Sequence, residues 1–337
     1  MNIVIPMAGW GTRLRPHTLT TPKPLIKVAG KSMVTRLAEE ISVSLDKPVE
    51  NIVFIIKPEF GPGVEEQLLE TAEQLNMKGH IVYQKEALGT AHAIHMAEAF
   101  LEGPVFVAYA DTLFKGKIVL PTEADAVIVV KQVDNPEAFG VVQLDEQNRI
   151  VSFVEKPKHF VSDLAIVGIY YFKQGEILRD EIRYLIENNI RTSGEFQLTD
   201  ALYNMQKKGK IFMPANIEKW MDFGNKNAAV DTNRQILEWE HNQGKKLISP
   251  QAKIINSRII EPCFIGANAV IENSTVGPYV SIGKNTQISS ATIKNSLIGE
   301  NNRISHLQFH RSMIGNYVDI DGREAIFSLG DYSQMGK

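Results

Sequence analysis

The stretch that decides the first part of the chain is Met7-Ala8-Gly9-Trp10-Gly11-Thr12-Arg13-Leu14-Arg15-Pro16, which follows the apolar run Ile3-Val4-Ile5. The apolar run predicts a buried first strand, so the chain passes from a strand directly into Gly-x-Gly. Glycine permits a positive φ and has no Cβ, and successive amides in such a loop can bind an anion. Arg13 adds a forked cation, and Lys23, within Pro22-Lys23-Pro24-Leu25, adds a second positive charge. Together these groups predict a loop that binds a triphosphate.

This stretch differs from two other phosphate-binding loops. The dinucleotide-binding fingerprint requires a third glycine, and the Walker-type loop requires Gly-Lys followed by Ser or Thr. A bare Gly-x-Gly after a strand is usually only a tight turn. The flanking Thr-Arg-Leu-x-Pro and the later Pro-Lys-Pro-Leu make the string much more specific, so we favour the ligand-binding interpretation.

Apolar runs alternate with amphipathic stretches over the next hundred residues. They predict, in order, helix 32–45, strand 51–56, helix 64–75, strand 80–84, helix 90–101 and strand 104–111. This alternation predicts βαβ units and a mostly parallel sheet. Ligands bind beyond the carboxyl ends of such strands, so residues 7–13, Gln84 and Asp111 are expected to share one site.

The remainder of the first domain is predicted to contain more strands and then two helices. Residues 126–172 predict a more antiparallel layer that closes over the site, with strands at 127–130, 139–142, 150–154 and 166–172. Helices are predicted at 177–190 and 196–208. The segment 220–224 ends this domain, and 228–242 predicts a linking helix.

From Ile254 onward, aliphatic residues recur at steps that are mostly six and sometimes five, with Gly and Asn between them. The positions are Ile259, Ile265, Ile271, Val276, Ile282, Ile288, Ile293, Leu297 or Ile298, Ile304, Ile314 and Ile320. A hexapeptide repeat builds a parallel β-helix, whereas an antiparallel sandwich would alternate with period two. We predict three to four coils, with residues 321–337 as a cap.

Composition limits the class of protein. The chain has 337 residues, 44% of them hydrophobic and 22% charged, as in ordinary soluble globular proteins. The formal net charge of −3 gives no basic field for nucleic acid. The single cysteine, Cys263, cannot form an internal disulfide. With no signal peptide and no apolar run of membrane-spanning length, we expect a cytoplasmic protein without nucleic-acid or membrane partners.

The string Gly9-Trp10-Gly11-Thr12-Arg13-Leu14-Arg15-Pro16, with Pro22-Lys23-Pro24-Leu25 downstream, resembles the signature of the sugar-1-phosphate nucleotidyltransferases, most of all the glucose-1-phosphate thymidylyltransferases. The resemblance implies an α/β fold. A Rossmann-like nucleotidyltransferase domain with a mixed sheet is followed by a short left-handed parallel β-helix of hexapeptide repeats. The implied parts are a nucleotidyltransferase domain at 1–225, a linking helix at 226–246 and a hexapeptide-repeat domain with its cap at 247–337.

The resemblance also implies a reaction. A nucleotidyl group passes from a nucleoside triphosphate, with dTTP or UTP favoured, to a sugar-1-phosphate, with glucose-1-phosphate favoured, and pyrophosphate is released. The attacking phosphate oxygen is already ionised because its second pKa is near ~6, so no general base is required and none is found. The chemistry needs in-line positioning and neutralisation of charge, for which Mg²⁺ is the implied cofactor. A homo-oligomer assembled through the β-helix is expected.

Individual residues take roles from the same resemblance. The implied catalytic cations are Arg13, Lys23 and, in a Glu-Lys-Pro motif, Lys156. The implied nucleotide-binding residues are Ala8, Gly9, Gly11, Thr12, Gln84, Leu88, Gly89 and Thr90. The implied sugar-binding residues are Gly140, Glu155, Gly168, Tyr170 and Glu195.

Asp111 and Asp222 are the implied magnesium ligands. The first resembles the family's Gly-Asp motif and the second its Trp-x-Asp-x-Gly motif, and carboxylates are usual ligands of magnesium. The chain departs from the family at Ala110, where Gly is common, and at Asn225, where Thr is common. Neither departure replaces a ligand.

The Gln84 amide carries both a donor and an acceptor, and it is expected to meet the edge of uracil or thymine, whereas guanine would favour a carboxylate. His92 and His95 are expected to be packing or surface histidines, because no carboxylate or cysteine pattern joins them.

Three alternatives stay open at this point. One is a mannose-1-phosphate guanylyltransferase, and another is a non-catalytic regulatory subunit on the same fold. The third is a bifunctional protein with a β-helix acyltransferase, for which His306 and His310 are unconvincing catalytic histidines.

Overall fold

The computed structural model describes residues 1–45 and 48–323. Most of the predicted cap at 321–337 therefore lies outside the described residues. The chain divides into two compact units. The first consists of Met1–Gly9 and Thr35–Trp220, and the second consists of Trp10–Val34 and the chain from Met221 onward. The predicted boundaries at 225 and 246 stay a prediction.

The first unit is built on a mixed sheet. Within the described residues it has nine strands: Asn2–Pro6, Asn51–Ile56, Lys78–Tyr83, Val105–Ala108, Ala126–Gln132, Gly140–Leu144, Ile150–Glu155, Leu164–Phe172 and Phe212–Asn216. The first strand pairs in parallel with Asn51–Ile56 on one side and Val105–Ala108 on the other. Lys78–Tyr83 pairs in parallel beyond Asn51–Ile56. The prediction of a parallel core from alternating strands and helices is therefore confirmed.

The later strands extend this sheet instead of forming a separate layer over it. Leu164–Phe172 pairs antiparallel with Val105–Ala108 and with Ala126–Gln132. Gly140–Leu144 joins the sheet beside Leu164–Phe172. The predicted closing layer was wrong in this respect, because the apolar runs show that strands are buried but not which edge they join.

The helices of the first unit cover the sheet and, with one exception, end near their predicted bounds. They are Met33–Ser44, which begins in the second unit, Pro62–Gln74, Thr90–His95, Gly175–Glu187 and Leu198–Lys207. The helix predicted at 90–101 ends early. The N–H groups of Met96 and Ala97 donate to Ala93 and Ile94, three residues back, so the last turn tightens and a short 3₁₀ helix follows at Glu98–Phe100.

The second unit contains the loop after the first strand, a long helix and a left-handed parallel β-helix. The loop carries 3₁₀ turns at Thr12–Leu14 and Lys23–Leu25. The long helix is Lys226–Asn242. Its N-cap is Asn225, whose side chain accepts a hydrogen bond from the N–H of Ala228 at 3.1 Å, a role that Asn fills as well as Thr does.

Three parallel sheets form the β-helix. The first sheet contains Lys253–Ile255, Val270–Glu272, Gln287–Ser289, Arg303–Ser305 and Asp319–Asp321. The second sheet contains Arg258–Ile259, Thr275–Val276, Thr292–Lys294 and Gln308–His310. The third sheet contains Cys263–Ile265, Val280–Ile282, Ser296–Ile298 and Met313–Ile314. The hexapeptide-repeat prediction is therefore confirmed. Asp321, assigned to the cap, belongs instead to the last strand.

The coils are shorter than a strict six-residue period would make them. Val270 lies opposite Gln287, 17 residues on, and Gln287 lies opposite Arg303, 16 residues on. A coil of 17 residues contains two steps of six and one of five, and a coil of 16 contains one step of six and two of five, so the two step lengths are equally frequent. Phe309 lies opposite Ile293 and fills an inward position that the aliphatic pattern omitted. Corners hold residues with positive φ, among them Asn268 and Asn285, whose side chains hydrogen-bond in a ladder at 3.3 Å.

His306 is one of these corner residues, with φ 55° and a ring nitrogen 3.1 Å from Asp321. The contact with Asp321 gives His306 a structural role at the corner.

None of the helices in the described part of the chain has the length and apolar composition that a membrane span requires.

The loop and the β-helix pack together within the second unit. Lys27–Val28 and Lys31–Ser32 form a hairpin whose turn residues, Ala29 and Gly30, have φ values of 44° and 81°. A Cβ on Gly30 would lie 2.4 Å from Cζ of Phe264. Lys27 also forms an ion pair with Glu300 at 2.7 Å. The β-helix therefore supports the base of the loop.

We predict that Gly30→Ala lowers the free energy of unfolding by about 2 kcal/mol, because it combines an unfavourable φ with a clash against the Phe264 ring. The matched control is Gly63→Ala, where no atom lies within 4 Å of the new Cβ and φ is not positive. This control should be neutral or slightly stabilising. Denaturant unfolding measures both, and equal stabilities would mean that Phe264 does not pack over the turn.

Candidate active site

The carboxyl ends of the parallel strands place several of the predicted residues at one edge of the first unit. Met7 follows the first strand, and its N–H donates to Ile55 O at 2.9 Å. Gln84 follows Lys78–Tyr83, and its N–H donates to Ile56 O at 2.8 Å. Ala8, Gly9 and Asp111 follow neighbouring strands at the same edge. The parallel pairing of these strands thus explains why Met7, Ala8, Gly9, Gln84 and Asp111 lie at the same edge of the sheet.

The segment after Gln84 is held by main-chain contacts with Phe196. Gly89 has a φ of 118°, and a Cβ there would lie 2.4 Å from Phe196 O. Phe196 N–H donates to Leu88 O at 2.8 Å, and Ala91 N–H donates to Phe196 O at 2.9 Å. The position therefore requires glycine, and the predicted nucleotide-binding residues Leu88 and Gly89 lie in a fixed backbone.

Gln84 is itself anchored. Its side chain is only 7% exposed, and Nε2 lies 3.2 Å from His92 Nδ1 and 3.4 Å from Gly89 O. Thr90 accepts a hydrogen bond at Oγ1 from Leu198 N–H at 2.9 Å. The structure therefore joins Gln84, Gly89 and His92 in one hydrogen-bonded group.

The predicted sugar segment brings Gly140 and Glu155 together on paired strands. The two residues are directly opposite, and a Cβ on Gly140 would lie 2.9 Å from Glu155 Oε2. Lys156 has a φ of 43°, uncommon for a residue with a side chain, and its Nζ lies 3.9 Å from Glu155 Oε1. Both side chains are more than 60% exposed, so an exposed cation and carboxylate stand side by side.

Gly168 and Tyr170 are connected through Tyr109, a residue that the sequence did not single out. Gly168 has a φ of 90°, and a Cβ there would lie 3.1 Å from Tyr109 Cδ2. The rings of Tyr109 and Tyr170 meet edge to face at 5.9 Å. Burial raises the pKa of both phenols, and the pKa of Tyr109 is partly lowered by its hydrogen bond with Thr90. Tyr109 thus joins the predicted nucleotide and sugar segments.

Tyr170 itself is a core residue, only 5% exposed. Glu195 lies in an exposed turn, where its Oε2 accepts a hydrogen bond from Gln197 Nε2 at 3.0 Å.

Asp111 is exposed at the turn before Thr112, whose hydroxyl accepts a hydrogen bond from Trp220 Nε1 at 2.6 Å. The turn is therefore fixed by a side chain 108 residues further along the chain.

The second unit holds the other predicted cations. Gly11 has a φ of 61°, and a Cβ there would lie 2.9 Å from Cβ of Lys23. Thr18 Oγ1 donates to Gly11 O at 2.9 Å, which fixes the turn. Lys23 is 8% exposed, whereas Thr12 and Arg13 are exposed. The glycine thus lets the loop fold tightly onto the stem of Lys23.

Asp222, also in the second unit, is the last residue of the short strand Lys219–Asp222, which ends shortly before the long helix. Its Oδ1 accepts a hydrogen bond from Gly224 N–H at 3.0 Å, and its main-chain oxygen accepts one from Thr232 Oγ1 at 2.6 Å. The carboxylate is exposed.

The donor set suits magnesium that is bound together with substrate. Asp111 in the first unit and Asp222 in the second each offer an exposed hard oxygen ligand, and no group of three or more candidate ligands occurs among residues 1–45 and 48–323. Magnesium usually takes one or two carboxylates and completes its shell with water and substrate phosphates. Each of these carboxylates, taken by itself, fits that pattern.

Sequence reasoning missed His92 and Tyr109. His92 was set aside because no metal-ligand pattern surrounds it, yet its ring acts here as a hydrogen-bond partner of Gln84. Burial is the largest influence on the pKa of His92 and lowers it. No local spacing in the sequence signals a histidine that accepts a single hydrogen bond.

Comparison with known proteins shows the family to which the chain is similar. The model of the family described as nucleotidyl transferase matches residues 3–238. A glucose-1-phosphate thymidylyltransferase of Streptomyces antibioticus is 31% identical over 99% of both chains, and one of Streptomyces griseus is 26% identical over the same shares. A bifunctional protein GlmU of Methanococcus maripaludis is 31% identical over 92% of this chain and 76% of its own.

The family match covers more than half of the chain, and similarity to the first of these relatives extends along its full length. The chain therefore belongs to the nucleotidyl transferase family and is a sugar-1-phosphate nucleotidyltransferase.

Proposed function

We propose that this enzyme transfers a nucleotidyl group from dTTP or UTP to a sugar-1-phosphate, with glucose-1-phosphate favoured, and releases pyrophosphate. The observation that carries the proposal is the glycine turn at Gly11, which packs onto Lys23 beside the exposed Arg13. This loop offers two cations and main-chain amides to one anionic ligand. The full-length relatives named as thymidylyltransferases support the choice of base and sugar.

The proposed chemistry is a single in-line displacement. An oxygen of the sugar phosphate forms a bond to the α-phosphorus while the bond from that phosphorus to the bridging oxygen of the β-phosphate breaks. The electron pair leaves with pyrophosphate. The attacking phosphate is ionised near neutral pH, since its second pKa is near ~6, so the protein needs to position and neutralise charge and not to remove a proton.

The cations take distinct roles in this proposal. Arg13 and Lys23 bind the triphosphate and stabilise the charge that develops on leaving pyrophosphate. Lys156 binds the phosphate of the sugar, and Glu155 beside it accepts hydrogen bonds from sugar hydroxyls. The 3.9 Å separation of these two side chains fits a ligand that carries both an anionic and a hydroxyl group.

Magnesium completes the proposed site. Asp111 and Asp222 would hold it, and when bound it neutralises phosphate charge and fixes the geometry of the reacting groups. Asp222 is oriented for this task by its hydrogen bond with Gly224. Cytoplasmic location and a homo-oligomer formed through the β-helix are further proposals.

The proposed activity is tested by measuring pyrophosphate release from a panel of triphosphates crossed with a panel of sugar-1-phosphates. We expect dTTP or UTP with glucose-1-phosphate to give the highest kcat/KM. A clear preference for GTP with mannose-1-phosphate would instead identify a guanylyltransferase.

The metal assignment predicts that EDTA abolishes activity and that added Mg²⁺ restores it. Asp111→Asn and Asp222→Asn should each lower kcat severely while the melting temperature stays near that of the wild type, because both carboxylates are exposed. Asp231→Asn, which alters a half-buried aspartate of the long helix that pairs with Arg311, is the control for a general charge effect. Activity that survives chelation would contradict the assignment.

Lys23→Ala should lower kcat by a factor of ~10²–10³, the usual cost of losing one group that stabilises transition-state charge. Lys156→Ala should act mainly when the sugar phosphate is varied, as a rise in its KM. Steady-state kinetics with each substrate varied in turn separates the two effects. Near-normal turnover of Lys23→Ala would mean that the lysine serves only to pack the loop.

A further inference from the structure

We infer that His92 is a positioning residue that fixes the amide of Gln84 so that only its carbonyl oxygen faces the nucleotide base. A base with a ring N–H, such as uracil or thymine, is then accepted, and cytosine is rejected. This inference rests on the proposed nucleotide-binding function of the same segment.

The orientation of the amide follows from its two partners. Gln84 Nε2 lies 3.4 Å from Gly89 O and 3.2 Å from His92 Nδ1. A main-chain carbonyl can only accept, so the NH₂ group of the amide, and not its oxygen, must face Gly89. An NH₂ group has two protons, and these two partners use both.

The carbonyl oxygen of Gln84 is the atom that remains. Among the described residues, no hydrogen bond engages Gln84 Oε1, and the side chain is only 7% exposed. The NH₂ group, which the sequence analysis expected to meet the base together with the oxygen, thus has partners within the protein. Gln84 presents an acceptor only.

This arrangement fixes the tautomer of His92. An amide nitrogen does not accept hydrogen bonds, so His92 Nδ1 must be the unprotonated nitrogen and the ring proton lies on Nε2. Burial is the largest influence on the pKa of His92 and lowers it, as do the positive charges of His95 and Arg191. The carboxylate and main chain of Glu86 raise it. The neutral ring that the hydrogen bond requires is thus favoured.

The backbone around the pair is rigid enough to hold this geometry. Gly89 is pressed against Phe196 O, and its own carbonyl also accepts from Ala93 N–H at 3.1 Å. His92 lies on the short helix Thr90–His95, which starts directly after this glycine. The acceptor on His92 and the acceptor on Gly89 are therefore held on one rigid turn.

An oxygen in this position discriminates between bases by hydrogen-bond polarity. Uracil and thymine carry a proton on N3 and can donate it to Oε1. Cytosine carries a lone pair on N3, which would face the lone pairs of Oε1. A site built to bond one edge strongly rejects an analogue that leaves the polar group unpaired. Guanine also has a ring N–H, so this device separates uracil from cytosine and does not by itself exclude guanine.

UTP and CTP are the matched pair for a test, since they differ only on this edge of the base. We would measure kcat and KM for both with glucose-1-phosphate, and their Kd by calorimetry without the sugar phosphate. The variants are His92→Leu, which removes the acceptor, and His92→Asn, which restores one near the Nδ1 position. His95→Leu is the control, because it makes the same change one helical turn away from Gln84.

We expect His92→Leu to lower the UTP-to-CTP ratio of kcat/KM by about tenfold, the loss of roughly one well-placed hydrogen bond, with most of the change in KM. The ratio of the two Kd values should fall in parallel. His92→Asn should keep most of the discrimination, and His95→Leu should keep all of it. If His92→Leu does not fold, His92→Ala removes the same acceptor without added bulk.

The outcomes separate this inference from the proposed function. An unchanged ratio in folded His92→Leu or His92→Ala would overturn the role of His92 while the activity stands. An equal loss with UTP and CTP would also overturn it, because a purely structural role lowers both. Absence of transfer with every substrate would contradict the proposed function, and the Kd ratio would still test His92.

Discussion

The buried first strand is the constraint on which the rest of the first unit depends. Ile3, Val4 and Ile5 are fully buried, and the strand has parallel partners on both sides. Because both neighbouring strands run parallel to it, the carboxyl ends of all three strands lie at the same edge of the sheet. The chain leaves the first strand through Met7-Ala8-Gly9, and the neighbouring strands end at the same edge with Gln84 and Asp111 close behind them. Hydrophobic burial thus determines where polar chemistry can be placed.

Close approach of main chain is the second constraint, and glycines with positive φ satisfy it in both units. In the first unit, Gly89 lies against Phe196 O and Gly168 against the Tyr109 ring. In the second, Gly11 lies against Lys23. In each case a Cβ would displace a neighbour that contacts a predicted ligand-binding residue or is one itself. These glycines therefore hold side chains in place as well as forming turns.

The sequence was sufficient for features set by periodicity and insufficient for features set by distant partners. Apolar runs predicted the parallel strands, and recurring aliphatics predicted the β-helix, because burial imposes a period on the chain. The tightening of the helix after His95 depends on local hydrogen bonds that leave no such period. The bond from Trp220 to Thr112 spans 108 residues, and no local pattern could reveal it. His92 was overlooked for the same reason, since a histidine that accepts one hydrogen bond has no distinctive spacing.

The group around Gln84 shows why an amide suits this position better than a carboxylate. Both side chains end in an oxygen that can accept a hydrogen bond from a base. Only the amide can also donate to Gly89 O and His92 Nδ1, and a carboxylate would place negative charge against the lone pairs of both. Since the proposed site also binds a polyanionic triphosphate, an uncharged acceptor avoids repulsion that a carboxylate would add. In the proposed site, the NH₂ group therefore anchors the side chain while the carbonyl oxygen is left for the base, and the two halves of one residue serve separate purposes.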